Sequence, residues 1–142
     1  MIILDTNVIS ELMSPSPEPL VLQWLRTQPL GEIATTSINL AEIRYGLARL
    51  PNGRRRRDLE TRFDTFASRG FGPRVYDFDR AAAAAYADLA VLRENSGRRL
   101  EGFDGLIAAI AAVRGAAIAT RNARDFTGCG ITVISPWNID PP

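Results

Sequence analysis

Asp5, Glu42, Asp104, Asn122 and Asp125 are the residues whose types and placements could hold a hard cation through oxygen alone. Asp5 ends the apolar run Ile2-Ile3-Leu4 and is followed by Thr6 and Asn7. Three β-favouring residues bounded by turn formers predict a buried strand, which puts Asp5 where that strand leaves the sheet. The plainer alternative is that Asp5 only caps a short helix over Val8–Leu12. Glu42 has no base three or four positions away, where surface acids commonly find one; those positions hold Ile38, Asn39, Tyr45 and Gly46. With Ile38 and Tyr45 expected to face the core, Glu42 should point along the edge of the buried face. Asp104 stands at the first turn of a strongly apolar helix marked by Leu106, Ile107, Ile110 and Val113, where a simple N-cap is again the alternative. Asn122 and Asp125 follow a short strand, Ala116–Thr120.

What the chain lacks narrows its chemistry. It has no His, all 17 basic residues are Arg, and Cys129 is its only thiol. His-based triads, Schiff-base chemistry, a P-loop lysine, zinc sites of His and Cys, and an internal disulfide are thereby removed. Carboxylates, hydroxyls, amides and Arg remain, and a carboxylate-only site favours Mg²⁺ or Mn²⁺. A net charge of +1 supplies no whole-molecule field for nucleic acid, so any such binding is local. The run Arg54-Arg55-Arg56-Arg57 is either a solvated charge run or a contact for phosphates or an acidic partner.

The elements that must position these residues follow from apolar periodicity and breakers. With 142 residues, 46% of them hydrophobic, one domain over residues 1–142 is expected. Pro17 or Pro19 opens a helix to about Thr27. Glu32–Thr36 reads as a strand, and Ser37 as the cap of a helix through about Leu50. A further helix is expected between Asn52 and Gly70, with Leu59, Phe63 and Phe66 on one face. Val75–Phe78 is a third strand. Asp79 caps a helix over Arg80–Asn95 whose Ala81–Ala85 run suits close packing, and Ile131–Ile134 is the last strand. With a strand starting at residue 2 no signal peptide is expected, and the longest apolar run, Leu106–Val113, is too short for a bilayer. The expectation is a soluble, cytoplasmic protein.

Short apolar strands alternating with helices predict an α/β fold: a central parallel sheet of about five short strands covered by helices on both faces. In such a sheet the strand ends that feed helices share one edge, so Asp5, Glu42, Asp104 and Asn122 with Asp125 can converge there. Close carboxylates repel, and such a cluster is tolerated mainly where a cation sits between them. A response receiver is disfavoured by the absence of Lys. An aspartate-nucleophile phosphatase is disfavoured by Asn7, where that class usually has a second Asp.

Four segments carry a family resemblance: I-L-D-T-N at Asp5, N-L-A-E-I-R-Y-G around Glu42, F-D-G-L-I-A-A at Asp104, and T-R-N-A-R-D-F with Asn122 and Asp125. In this order and spacing they resemble PIN-domain proteins, and more narrowly VapC-type toxins of toxin–antitoxin pairs. The resemblance implies a Mg²⁺- or Mn²⁺-dependent ribonuclease silenced by a cognate antitoxin, with Asp5, Glu42 and Asp104 as catalytic metal ligands. Some members carry an Asp where this chain has Asn122. The fourth ligand is then Asn122 or Asp125, with Asp125 expected. Thr6, Asn7 and Asn122 would support the ligands, Arg98, Arg99, Arg121 or Arg124 would hold the RNA, and a homodimer or larger toxin–antitoxin assembly would follow. The alternatives are a non-catalytic PIN-like interaction module and a PIN nuclease acting on DNA.

Overall fold

The computed structural model describes residues 1–139; residues 140–142, which the single-domain expectation includes, lie outside the described residues. Five parallel strands form one sheet in the order β3-β2-β1-β4-β5, where β1 is Ile2–Leu4, β2 Ile33–Thr36, β3 Val75–Tyr76, β4 Ala117–Ala119 and β5 Val133–Ile134. The chain moves outward from β1 through β2 to β3, then crosses back to lay β4 on the other side of β1. The order therefore reverses between β1 and β4, and in open sheets of this kind ligands sit outside the carboxyl ends of the strands at that reversal.

Each strand is too short to stand without cover; the central strands β1, β2 and β4 are buried on both faces, and the edge strands β3 and β5 are half-buried. Successive side chains point to opposite faces. Ile3, Ala34 and Ile118 thus join one core cluster, while Leu4, Ile33 and Ala119 join the other. Helices α5 (Arg80–Asn95) and α6 (Gly102–Arg114) complete the first cluster through Ala82, Leu89, Ile107 and Ile110. The second is completed by α1 (Thr6–Met13), α2 (Pro19–Arg26), α3 (Ser37–Ala48) and α4 (Arg54–Thr65), with Val8, Val21, Trp24, Ile43 and Phe63.

Several expectations are corrected. The cap of α3 is Thr36, not Ser37: the Thr36 hydroxyl accepts from the Asn39 N–H at 3.1 Å. The buried stripe of α3 is Asn39, Ile43 and Leu47, and Tyr45 is 65% exposed, because the end of the strand rotates the helix by one position from the expected face. Helix α4 stops at Thr65 and continues as a π-type turn, Phe66–Phe71, which swings Phe71 into the core. The alanine tract of α5 buries only Ala82 fully, and Val113 of α6 is 41% exposed, because small residues at Ala108, Ala109 and Ala111 form the packed face instead. Strand β3 ends at Tyr76, two residues short of the expected limit. Asp79 does cap α5, accepting from the Ala82 N–H at 2.9 Å.

Candidate functional site

The two strands that flank the reversal end side by side, and their last residues are tied together. Asp5 follows β1 and Thr120 follows β4; the Thr120 hydroxyl donates to Asp5 Oδ2 at 2.7 Å. Asp5 also accepts from the Thr6 N–H at 2.9 Å and from the Asn39 side-chain amide at 3.1 Å. The cap reading of Asp5 is thus half right: it precedes α1, yet its carboxylate is the centre of a bonded network joining β4, α1 and α3. Asn7 extends that network, donating to Asp5 Oδ2 at 3.4 Å and to Thr120 at 3.3 Å.

Glu42 has a partner that helical spacing could not show. It lies on α3, but the Thr6 hydroxyl of α1 donates to its Oε1 at 2.9 Å. The Asn39 amide donates to that same Thr6 hydroxyl at 3.1 Å, so Thr6 is held between Asp5's supporting amide and Glu42. Asp104 stands in the third position of α6, whose cap is Glu101, and its carboxylate takes no hydrogen bond among the described residues. Gly105 lets this turn sit against α5: a Cβ there would lie 2.8 Å from the Tyr86 ring.

These side chains line one open cavity of about 640 Å³: Asp5, Thr6, Asn7, Glu42, Asp104, Arg121, Asn122 and Asp125, with Ser10 and Glu11 added. The four predicted acids and all three predicted supporting residues are therefore brought together. Asp125 is exposed, and Asn122 is fixed through its N–H, which donates to the Thr120 hydroxyl at 3.0 Å. Of the four arginines, only Arg121 lines the cavity. Arg98 instead donates to Thr127 at 3.1 Å, and neither residue lines the cavity.

Electrostatically the site is strained toward neutrality. Burial holds the Asp5 carboxyl above its ordinary value despite the bonds from Thr120, Thr6 and Asn39. Burial also raises Glu42, with Asp5 adding to the effect and Thr6 opposing it. Asp104 is pushed up to about 7, first by burial and then by the charges of Asp5, Asp125 and Glu42; Arg93 opposes. Oxygen-only donors with this mutual repulsion suit a hard divalent cation. Among the described residues no three carboxylates stand close enough together to share an ion, and like charges would draw closer only around a cation.

Sequence reasoning missed Asn39, Thr120 and Arg93. Asn39 precedes Glu42 by three positions, so shared helical facing could have found it. Arg93 had no such signal. It is 4% exposed on α5, and donates to the carbonyls of Asp125 at 2.8 Å and Arg124 at 3.0 Å and to Cys129 Sγ at 3.6 Å.

A doubly wound α/β domain with an acid-lined cavity at its strand reversal is the class that fold and site define. Residues 2–127 match the family model described as PIN domain. The chain belongs to the PIN-domain family. It is 39% identical over 137 residues to the VapC ribonuclease Y4jK of Sinorhizobium fredii, covering 96% of this chain and 98% of that protein. It is 36% identical over 138 residues to toxin FitB of Neisseria gonorrhoeae, covering 97% and 99%. The solved structure of FitAB bound to an IR36 DNA fragment superposes with a TM-score of 0.93 at 35% identity, covering 99% of each chain.

Proposed function

We propose that this protein is a Mg²⁺- or Mn²⁺-dependent endoribonuclease that acts in the cytoplasm as the toxin of a toxin–antitoxin pair and is inhibited by a cognate antitoxin. The observation that carries the reading is the gathering of Asp5, Glu42, Asp104 and Asp125 around one cavity at the strand reversal. Relatives of nearly equal length named as a VapC ribonuclease and a toxin support the choice of reaction and role. The FitAB complex supports a protein partner, and a homodimer or larger assembly belongs to the same reading.

Asp5, Glu42, Asp104 and Asp125 would hold the cation. When bound, it supplies Lewis acidity, acidifying water and offsetting charge on the phosphate. The chain's own residues do the rest. Thr120, Asn39 and the Thr6 N–H orient Asp5, and their bonds favour its ionised form against burial. Thr6 turns Glu42 toward Asp5. Asp104, whose carboxylate takes no hydrogen bond among the described residues, is pushed up to about 7 by burial and by its acidic neighbours. No side-chain base is required, which suits a chain without His.

The test is cleavage of structured RNA by the purified protein, free of any partner, in Mg²⁺ or Mn²⁺ and in EDTA. Cleavage in metal that stops in EDTA is expected. Cleavage that persists in EDTA overturns the metal dependence, and cleavage of DNA in place of RNA overturns the substrate.

A further inference from the structure

Among the described residues, Arg121 is the only basic side chain lining a cavity that also presents Asp5, Glu11, Glu42, Asp104 and Asp125. It nevertheless forms no ion pair with them among the described residues. The cation that favours the charged form of Asp104 is Arg93, which does not line the cavity. An arginine placed beside five acids, yet not paired with them, needs something else to hold it.

Both ends of Arg121 are held. Its N–H donates to Asn7 Oδ1 at 3.0 Å, which ties its backbone to the first turn of α1 and, through Asn7, to Asp5. Its guanidinium stands over the Trp137 ring, with Cζ 4.9 Å from the centroid. Trp137 itself is delivered by the edge strand. The Thr120 N–H donates to the Ile134 carbonyl at 2.9 Å, and the turn closed by Asn138 N–H to Ser135 carbonyl at 3.1 Å folds the indole back against the core. Arg121 and Trp137 thus come from separate strand ends, and the short strand β5 brings them together.

A cation held on an aromatic face keeps its N–H edge for an anion, and a side chain already ordered on that face spends little entropy when that anion binds. A polyanion approaching five carboxylates meets repulsion that one correctly placed guanidinium at the rim would relieve. Arg98 is committed to Thr127, and neither Arg99 nor Arg124 lines the cavity. We propose that Arg121 holds a phosphate of the RNA strand flanking the phosphate at the acids, and that Trp137 is the positioning residue that keeps its guanidinium at the rim. The proposal rests on the ribonuclease reading and adds to it the residue that seats the strand.

The experiment measures binding of a labelled single-stranded oligouridylate across a salt series, in the Glu42→Gln background so that the probe stays intact, alongside steady-state cleavage in the Glu42 protein. Arg121→Gln should weaken binding several-fold and flatten the log–log salt dependence by about 0.7, the loss of one single-strand phosphate contact. Trp137→Leu should raise KM more than it lowers kcat, and Trp137→Phe should restore KM, which a merely structural tryptophan would not show. An Arg121→Gln protein with unchanged affinity and salt slope overturns the proposal while leaving the ribonuclease reading intact. Failure of the Arg121-containing protein to bind or cleave RNA at all overturns both. Melting curves of each variant exclude unfolding as the source of a loss, and Arg121→Lys supplies a second variant, expected to keep the slope because it keeps the charge.

Discussion

The buried guanidinium of Arg93 donates to the backbone carbonyl of Asp125 at 2.8 Å, so the turn that carries the fourth acid of the site hangs from the last turn of α5. Arg93 takes no ion pair among the described residues, and its Nε is without a partner. Its cost in burial is offset by the carbonyls of Asp125 and Arg124, by the weak acceptor Cys129 Sγ and by its effect on nearby acids. Arg93→Met should lower stability by about 1–3 kcal/mol, since hydrogen bonds from a charged donor are lost while the freed carbonyls regain water. It should also move the acid limb of cleavage to higher pH, because Arg93 is the cation that opposes the raised Asp104 carboxyl. A pH–rate profile identical to that of the parent protein would contradict the electrostatic part of this account.

Thr120 is fully buried and serves three groups, donating to Asp5 and accepting from the Asn122 N–H and the Asn7 amide. Thr120→Val keeps the shape and removes the hydroxyl, which should cost about 1–2 kcal/mol. Its bond favours the charged form of Asp5, so its loss raises that carboxyl further and shifts the acid limb upward. Thermal melting and a pH profile of cleavage check the two parts separately.

Glu42→Gln should abolish cleavage and leave the melting temperature within a few degrees, because the amide oxygen can still accept from Thr6 while the charge is gone. Full activity in this variant would return Glu42 to the role of a hydrogen-bonded edge residue.

The sheet and its order of elements were legible because central strands buried on both faces read as short apolar runs, and because Asp79 caps α5 and Pro19, one of the two prolines expected there, opens α2. Site residues at strand ends, such as Asp5 and Asp125, were legible for the same reason: topology carries them to one edge. What was not legible depends on rotation and on long-range bonds. One position of rotation in α3 exchanges Tyr45 for Asn39 on the buried face, and nothing within α3 announces Thr6 as the partner of Glu42. Arg93 reads locally as a surface cation because its partners lie 31 and 32 residues away.

The arginine run illustrates the same limit and gives a further prediction. Arg54 and Arg56 turn back onto their own helix, with Asp58 at 3.9 Å and Glu60 at 2.7 Å, and Arg56 also donates to the Leu50 carbonyl at 3.3 Å. Arg55 and Arg57 form no ion pair among the described residues. Changing Arg55 and Arg57 to Gln should therefore leave stability within about 0.5 kcal/mol. Any loss of RNA or partner binding in that variant is then a contact effect. Arg56→Gln should lower the melting temperature, and if it does not, the network at the start of α4 contributes nothing.

Asp104 permits a test of the metal site that needs no knowledge of the RNA. Its carboxyl has an ordinary value of 3.8 and is pushed up to about 7 in the folded chain. The folded state therefore keeps a proton that the unfolded chain releases between these values. The resulting stabilisation is complete below about pH 4 and is lost as pH rises through about 7. Asp104 makes no capping hydrogen bond, so Asp104→Asn removes the titration without removing a cap. In EDTA the variant should melt above the parent protein at about pH 8, and the gap should close toward about pH 4. Added Mg²⁺ should then raise only the parent protein: with an assumed dissociation constant of about 1 mM, roughly 10 mM metal contributes about 1.4 kcal/mol, or about 4–5 °C. A cation that draws the carboxylates together cannot do so with a neutral amide in the third position of α6. Identical melting of both proteins, in EDTA and in Mg²⁺ and at both pH values, would remove Asp104 from the proposed ligand set.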